Sequence, residues 1–495
     1  MQALSKVGVI QYFKLRYLSI LIIYFCYGFS TFTTISAIFW TKNFLNISAI
    51  ELVQINFWVC TIPWTFKIVF SQFIESVSIF GNKRKSYIII GAIFNGVGNI
   101  ILISLANGYT WVNVVGPIYH QLLVSGVLIM SGFLIQDLVA STLCLELVEN
   151  GQNQSTCSTE VKDEIGKVQV IGKMSFMLGT LLGTALGGYV ADRYRFSDIV
   201  WFTIFIPLCS AISVFRLNVK LRDHESCYSS QITLVGVILI LSSILSEFIK
   251  FPYNQEITFL VNLLFISLLL KLVCTNTRKV DLREIILIGI MIFAFRLDPP
   301  LGAGIKWWQI DVLKFDPEFF GLLRQVGYLL GFVSMWIFSS YLIKKDIASV
   351  VTVLAIINAI LILPHLGMAY GLHEWTEAYI GFGARTIALI DPIIESPATS
   401  LMMVPISALS AYYAPNSNRA TWFALTACWL NLATSGATLI SKYLNKIFVI
   451  ERGQYTEIPH LIMAKILIGF FLPIVVVFIC NKFRKFLNNY HESTS

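Results

Sequence analysis

The 495-residue chain is 56% apolar and only 13% Asp, Glu, Lys or Arg, with a mean hydropathy of +0.73. Soluble domains carry about 25% charged residues, and 36 basic plus 28 acidic side chains are too few to cover a soluble fold of this size. Composition therefore excludes a soluble enzyme, a disordered chain and a nucleic-acid binder. The formal charge of +8 is modest, so its distribution matters more than its size. Of nine cysteines, Cys26, Cys60, Cys144, Cys209, Cys428 and Cys480 fall in apolar runs. They read as small buried hydrophobes rather than metal or redox groups.

A bilayer-spanning helix needs about 20 mostly apolar residues. Such runs fall near 17–40, 50–74, 87–106, 113–148, 167–190 and 197–215. Two more lie near 231–249 and 257–274, and six follow near 284–313, 317–343, 347–371, 378–412, 419–444 and 459–481. The first is too long for a signal-peptide core and is kept as a span. The pattern predicts an all-α polytopic membrane protein with about 14 transmembrane helices. With the N-terminus inside, 21 Lys and Arg lie in inner connections, 8 in outer ones and 7 within spans. That bias predicts that both termini are cytoplasmic.

Without the middle pair of spans, residues 1–215 and 284–495 each carry six spans, and 216–283 is a central linker with two extra ones. Each half places a basic connection after its second span: Lys83-Arg84-Lys85 in the first, Lys344-Lys345 in the second. Two six-span halves with that placement resemble the layout of the major facilitator superfamily, where solute binds between halves near mid-membrane.

Ionisable groups at bilayer depth cost at least about 2.5–3.5 kcal/mol each, so each needs a reason. Lys67, in Pro63-Trp64-Thr65-Phe66-Lys67, reads either as a snorkelling lysine or as a partner for solute or carboxylate; it sits about 12 Å deeper than Glu75. In the fourth span, Asp137 and Glu146 are nine residues apart and point to opposite helix faces. Asp137 needs a cross-helix partner, whereas Glu146 stands near the cytoplasmic end, where it either gates or simply holds the 83–85 loop. The fifth span repeats Gly179, Gly183 and Gly187 every four residues, a signature of close helix packing.

The ninth span reads Arg296-Leu297-Asp298-Pro299-Pro300-Leu301-Gly302-Ala303-Gly304. Its prolines and glycines interrupt the helical ladder beside a cation and an anion. The pair either neutralises itself at a kink or lines a cavity. Arg324 in the tenth span has no carboxylate nearby in sequence. Asp391 and Glu395 lie one turn apart, which suits proton carriage by mutual repulsion, although Arg385 is an alternative partner for Asp391. No catalytic, phosphate-loop or metal-ligand spacing competes, so neither an enzyme nor a cofactor is expected.

With these residues in place, the chain resembles the folate–biopterin transporter family. Pro63-Trp64 with Lys67 is similar to the family's Pro-Trp-x-x-Lys, and Phe80-Gly81-Asn82-Lys83-Arg84-Lys85-Ser86-Tyr87 to its Phe-Gly-Tyr-Arg-Arg-Arg-Pro-Tyr. Asp137 and Glu146 match the first Asp and the Glu of Asp-x-x-x-Asp-x-x-x-x-Glu. Phe315-Asp316-Pro317-Glu318-Phe319-Phe320-Gly321, then Arg324, Asp391, Ala420-Thr421-Trp422-Phe423-Ala424-Leu425 and Asn431 continue the match. Ser141 stands where the family has a second Asp, Glu75 replaces an Asp, Arg419 a Glu, and Asp298 a neutral residue. The family normally lacks the spans at 231–274.

The resemblance implies a secondary transporter, proton-coupled and working by alternating access, that imports a folate- or pterin-like solute. The residues then expected at solute are Lys67, Asp137, Arg296, Asp298, Arg324 and Arg385, the four cations among them expected to be buried. Asp137, Asp391 and Glu395 would couple protons. Glu75, Gly81, Lys83, Arg84, Lys85 and Glu146 would form a cytoplasmic gate. Trp307 and Trp308 read equally as a stacking platform or an interfacial belt. A facilitator for S-adenosylmethionine, an amino acid or a nucleotide derivative, and a non-transporting sensor that docks through 216–283, are the alternatives. The expected partners are the solute, protons and the bilayer of a cell (inner) membrane, with no nucleic acid; the oligomeric state is open.

Overall fold

The computed structural model describes residues 17–45, 47–77, 79, 84–149, 158–214, 230–249, 251–275, 282–342, 345–389, 401–402 and 419–494. The chain divides into two compact units: Met1–Leu45 with Val69–Val235, and Asn46–Ile68 with Gly236–Ser495. Among the described residues, eight helices are long and apolar enough to cross a membrane, or nine if a bent pair counts as one span. The remaining expected spans are broken, more polar, or fall partly outside the described residues.

The first unit is built from α1 (Leu18–Phe29), α2 (Thr34–Phe44), most of α5 (Lys67–Ser76), α6 (Lys85–Ala106), α7 (Ile118–Glu149), α8 (Ser158–Arg193), α9 (Phe196–Ile199) and α10 (Phe205–Ser213). α1 lies along α8, and α6 along α7. Lipid gives helices no hydrophobic reason to associate, so close backbone approach must supply the packing. A Cβ at Gly179 would stand 2.3 Å from the Phe25 carbonyl oxygen, and one at Gly187 2.2 Å from that of Phe32. The four-residue glycine repeat is thus a seam pressed against α1 and the turn that follows it. α8 runs 36 residues, well beyond the apolar run at 167–190, because the preceding polar stretch continues the same helix.

The second unit contains α3 (Ala49–Asn56), α4 (Ile62–Thr65), α11 (Ser230–Phe248, from Gly236 on), α12 (Asn254–Thr275), α13 (Leu282–Arg296) and α14 (Ala303–Asp311). It continues through α15 (Pro317–Leu342), α16 (Ile347–Leu361), α17 (Leu363–Ala369) and α18 (Leu372–Ile380). It ends with the helices here named α19 (Arg419–Ile447) and α20 (Ile458–Thr494). α3 opens on a capping box in which Ser48 and Glu51 satisfy each other's backbone N–H groups. Ile288, Met291, Ile292, Val350, Val351, Leu354 and Val477 join α13, α16 and α20 in one apolar cluster.

Two expected spans are discontinuous. The run at 50–74 passes through a π-helical turn at Phe57–Thr61 and bends by 46° between Thr65 and Lys67. Pro63 has no N–H to donate, which weakens the ladder just ahead of the bend. The run at 284–313 stops at Arg296 and resumes at Ala303, with Gly302 at φ +84°, a backbone state that favours glycine. The span expected from 378 is also interrupted: α18 ends at Ile380, Gly381 turns the chain at φ +79°, and a helical segment resumes over 384–389.

Candidate functional site

Backbone groups released by a broken helix cannot remain bare at membrane depth. In the second unit they are taken up by α19. The Asn431 amide donates to the Trp64 carbonyl at 3.1 Å, and the Ile68 N–H donates to Cys428 Sγ at 3.4 Å. Ser435 Oγ lies 3.2 Å from Thr65 Oγ1. Further along, Ser441 Oγ donates to the Pro300 carbonyl at 2.5 Å, and Asn445 Nδ2 to the Leu301 carbonyl at 3.3 Å. α19 is therefore a polar spine that supports both breaks. The recurrence of Cys428, Asn431, Ser435, Ser441 and Asn445 every three to six residues was a visible signal. Only Asn431 was singled out as a motif residue, and Cys428 is a hydrogen-bond acceptor as well as a buried filler.

Lys67, Arg296 and Asp298 stand at these breaks. Lys67 is half-buried at the first turn of α5, with Nζ 5.4 Å from the centroid of the Trp64 ring. Arg296 donates to Thr434 Oγ1 of the spine at 3.2 Å. Asp298 accepts from Asn358 Nδ2 of α16 at 3.2 Å and lies 3.7 Å from Lys465 Nζ of α20. Lys465 is buried, and the sequence pattern had not marked it. Arg324 is half-buried on α15 and makes no hydrogen bond or ion pair among the described residues.

Arg385 corrects an expectation. It is exposed, not buried, and its guanidinium binds the Asp316 carboxylate while covering the Phe319 ring. Asp316 also accepts from the Phe319 N–H at 2.7 Å, so it caps α15 and anchors Arg385 together. The interruption at Gly381 explains the error, because the arginine lies beside a turn rather than inside an unbroken span. Trp307 and Trp308 are both buried; Arg452 lies 4.9 Å from the Trp307 ring centroid, which leaves neither tryptophan at a lipid-facing surface.

In the first unit, Asp137 is half-buried on α7, and its carbonyl accepts from Ser141 Oγ at 2.7 Å. Ser141 also meets the Tyr24 hydroxyl at 3.2 Å. Gln136 is buried and donates to the Ile88 carbonyl and to Ser210 Oγ, tying α7 to α6 and α10. Among the expected gate residues, Arg84 is buried and Lys85 half-buried at the start of α6; Glu75 and Glu146 lie on α5 and α7. Gly81, Lys83, Asp391 and Glu395 lie outside the described residues.

α12 is tied to its neighbours within the second unit by polar contacts. Glu256 of α12 accepts from Lys442 Nζ and from the Tyr443 hydroxyl, both at 2.7 Å, and Gln255 donates to the Gln54 carbonyl at 3.4 Å. In the turn before α20, the Tyr455 hydroxyl donates to Asp311; burial and that carboxylate push the phenol up to about 12.

Interrupted spans that present charged groups to a polar helix are a recurrent arrangement of secondary transporters. The fold of this chain is shared with a solved POT family transporter in complex with a thioalcohol-conjugated peptide: TM-score 0.61, 13% identity, covering 95% of this chain and 96% of that one. The BT1 family model matches residues 27–494, and the chain belongs to that family, the folate–biopterin transporters. It is 20% identical to the folate-biopterin transporter of Synechocystis over 90% of this chain and 78% of the relative. It is also 20% identical to folate transporter 1 of Plasmodium falciparum, over 88% and 73% respectively.

Proposed function

We propose that this chain is a proton-coupled secondary transporter that imports a folate- or pterin-like solute by alternating access. The observation that carries the reading is the pair of broken spans supported by α19, at which the cations Lys67 and Arg296 stand where an anionic solute can be attracted. The names of the curated relatives support the solute class. In this reading, Lys67, Arg296 and Arg324 attract the solute's carboxylates. Asp137 and Asp298 complete the binding groups, and Asp137, Asp391 and Glu395 carry protons. Arg385, bound to Asp316 at an exposed position, is left to a structural role. Glu75, Gly81, Lys83, Arg84, Lys85 and Glu146 form the cytoplasmic gate.

The proposed architecture is two six-helix halves, 1–215 and 284–495, joined by 216–283 with an extra helix pair. That gives fourteen spans in a cell membrane, with both termini cytoplasmic. Purified protein in liposomes under an imposed pH gradient should accumulate a folate or a pterin. Absence of uptake for folate, pterin and S-adenosylmethionine alike overturns the proposal. Asp137→Asn should reduce uptake at least tenfold without altering the unfolding temperature; near-normal transport removes Asp137 from the mechanism. A second reading, a facilitator for a different metabolite, draws on Ser141, whose hydroxyl engages Tyr24 and the Asp137 carbonyl where the family has a charge. A competition panel separates the two.

A further inference from the structure

A cavity of about 350 Å³ opens between α11 and α12. Its polar lining comes from Ser242, Ser243 and Ser246 of α11 and from Asn254, Thr258 and Asn262 of α12. Asn262 lies eight residues into α12, about 12 Å along its axis from Asn254. It is 1% exposed, and its Oδ1 has no hydrogen-bond partner among the described residues. A buried amide oxygen at this depth calls for a donor.

The serines do not supply one. Ser242 and Ser243 donate to the Leu239 carbonyl, and Ser246 to that of Ser243, so their protons are engaged along α11 and their oxygens are left to accept. Glu247, the nearest acid on α11, already accepts from Asn254. The rim is apolar and open, with Leu245 59% and Ile249 65% exposed. The cavity therefore holds mixed hydrogen-bonding groups, with an unpartnered acceptor in Asn262 Oδ1, behind an apolar entrance, and is matched to a hydroxyl on a hydrocarbon body.

We infer that the inserted helix pair binds a hydroxyl-bearing membrane lipid, the hydroxyl donating to Asn262 Oδ1 and the hydrocarbon leaving over Leu245 and Ile249. The site takes its ligand from the bilayer and stands whether or not the transported solute is a folate. The test uses the full-length chain in phospholipid nanodiscs with a diazirine-bearing sterol that keeps its free hydroxyl. Labelling should map to peptides within 239–262 and fall at least fivefold with excess unlabelled hydroxyl sterol, but not with its methyl ether. Asn262→Leu and Ser242→Trp should each lower it at least fivefold; the latter blocks the cavity from an exposed position and keeps the test open if the former fails to fold. Labelling outside 239–262, equal displacement by the methyl ether, or unchanged labelling of Ser242→Trp overturns the inference. Displacement by a folate would overturn it too, by placing the cavity on the solute pathway.

Discussion

Asp298 and Lys465 show what one charged residue demands of its surroundings. An acid stands before the first proline of the break at 297–302, and α20 brings a buried lysine within 3.7 Å while Asn358 donates from α16. Leaving one member of a buried ion pair alone costs about 3–5 kcal/mol, whereas removing both together costs much less. Lys465→Met should therefore lower the unfolding midpoint clearly, and adding Asp298→Asn should recover part of the loss. Purely additive midpoints would dissolve the coupling. Tyr455 carries a pH signature. Its folded pKa is raised above the ordinary value near 10, to about 12. Its contribution is thus fully present below pH 10 and is lost as pH rises through 12. Tyr455→Phe should therefore unfold with a flatter pH dependence between 10 and 12 than the parent, followed by circular dichroism.

Helices reveal why some parts of the fold were legible and others were not. Spans at 87–106, 347–371 and 459–481 were read almost to their ends, because lipid requires an uninterrupted apolar stretch and the sequence supplies one. The break at 297–302 was equally legible, since two prolines and a glycine leave the chain little choice. The bend after Thr65 was not, because its cause lies partly in α19, more than 350 residues away, which receives the freed groups. The same separation hid the partners of the charged residues: sequence left Asp298 either neutralised by Arg296 at the kink or lining a cavity, and only the packing of three elements reveals Asn358 and Lys465 beside it. The glycine seam offers a paired test. Gly179→Ala forces a Cβ against the Phe25 carbonyl and should cost about 1–3 kcal/mol. Gly96→Ala, whose Cβ would lie 3.9 Å from Pro207, should be neutral or stabilise α6 by up to about 1 kcal/mol. Thermal unfolding of the two purified variants decides; equal effects would mean the seam is not tightly packed.

At the level of the whole molecule, sparse charge and a fourteen-run hydropathy pattern point to the transporter class, and the shared fold and family agree with that class. The division into compact units adds something the linear pattern did not contain. Residues 46–68 lie early in the chain, yet they belong to the unit otherwise built from Gly236 onward. A gene cut between codons 222 and 223 would hence yield two polypeptides that are interlaced rather than merely adjacent, the shorter one carrying a segment that fills the other's interior. Expressed together, the two pieces should copurify through a tag on either one, and the longer piece alone should accumulate poorly. Equal yields of the longer piece with and without its companion would show that it completes its own interior, and that the early segment is dispensable to it.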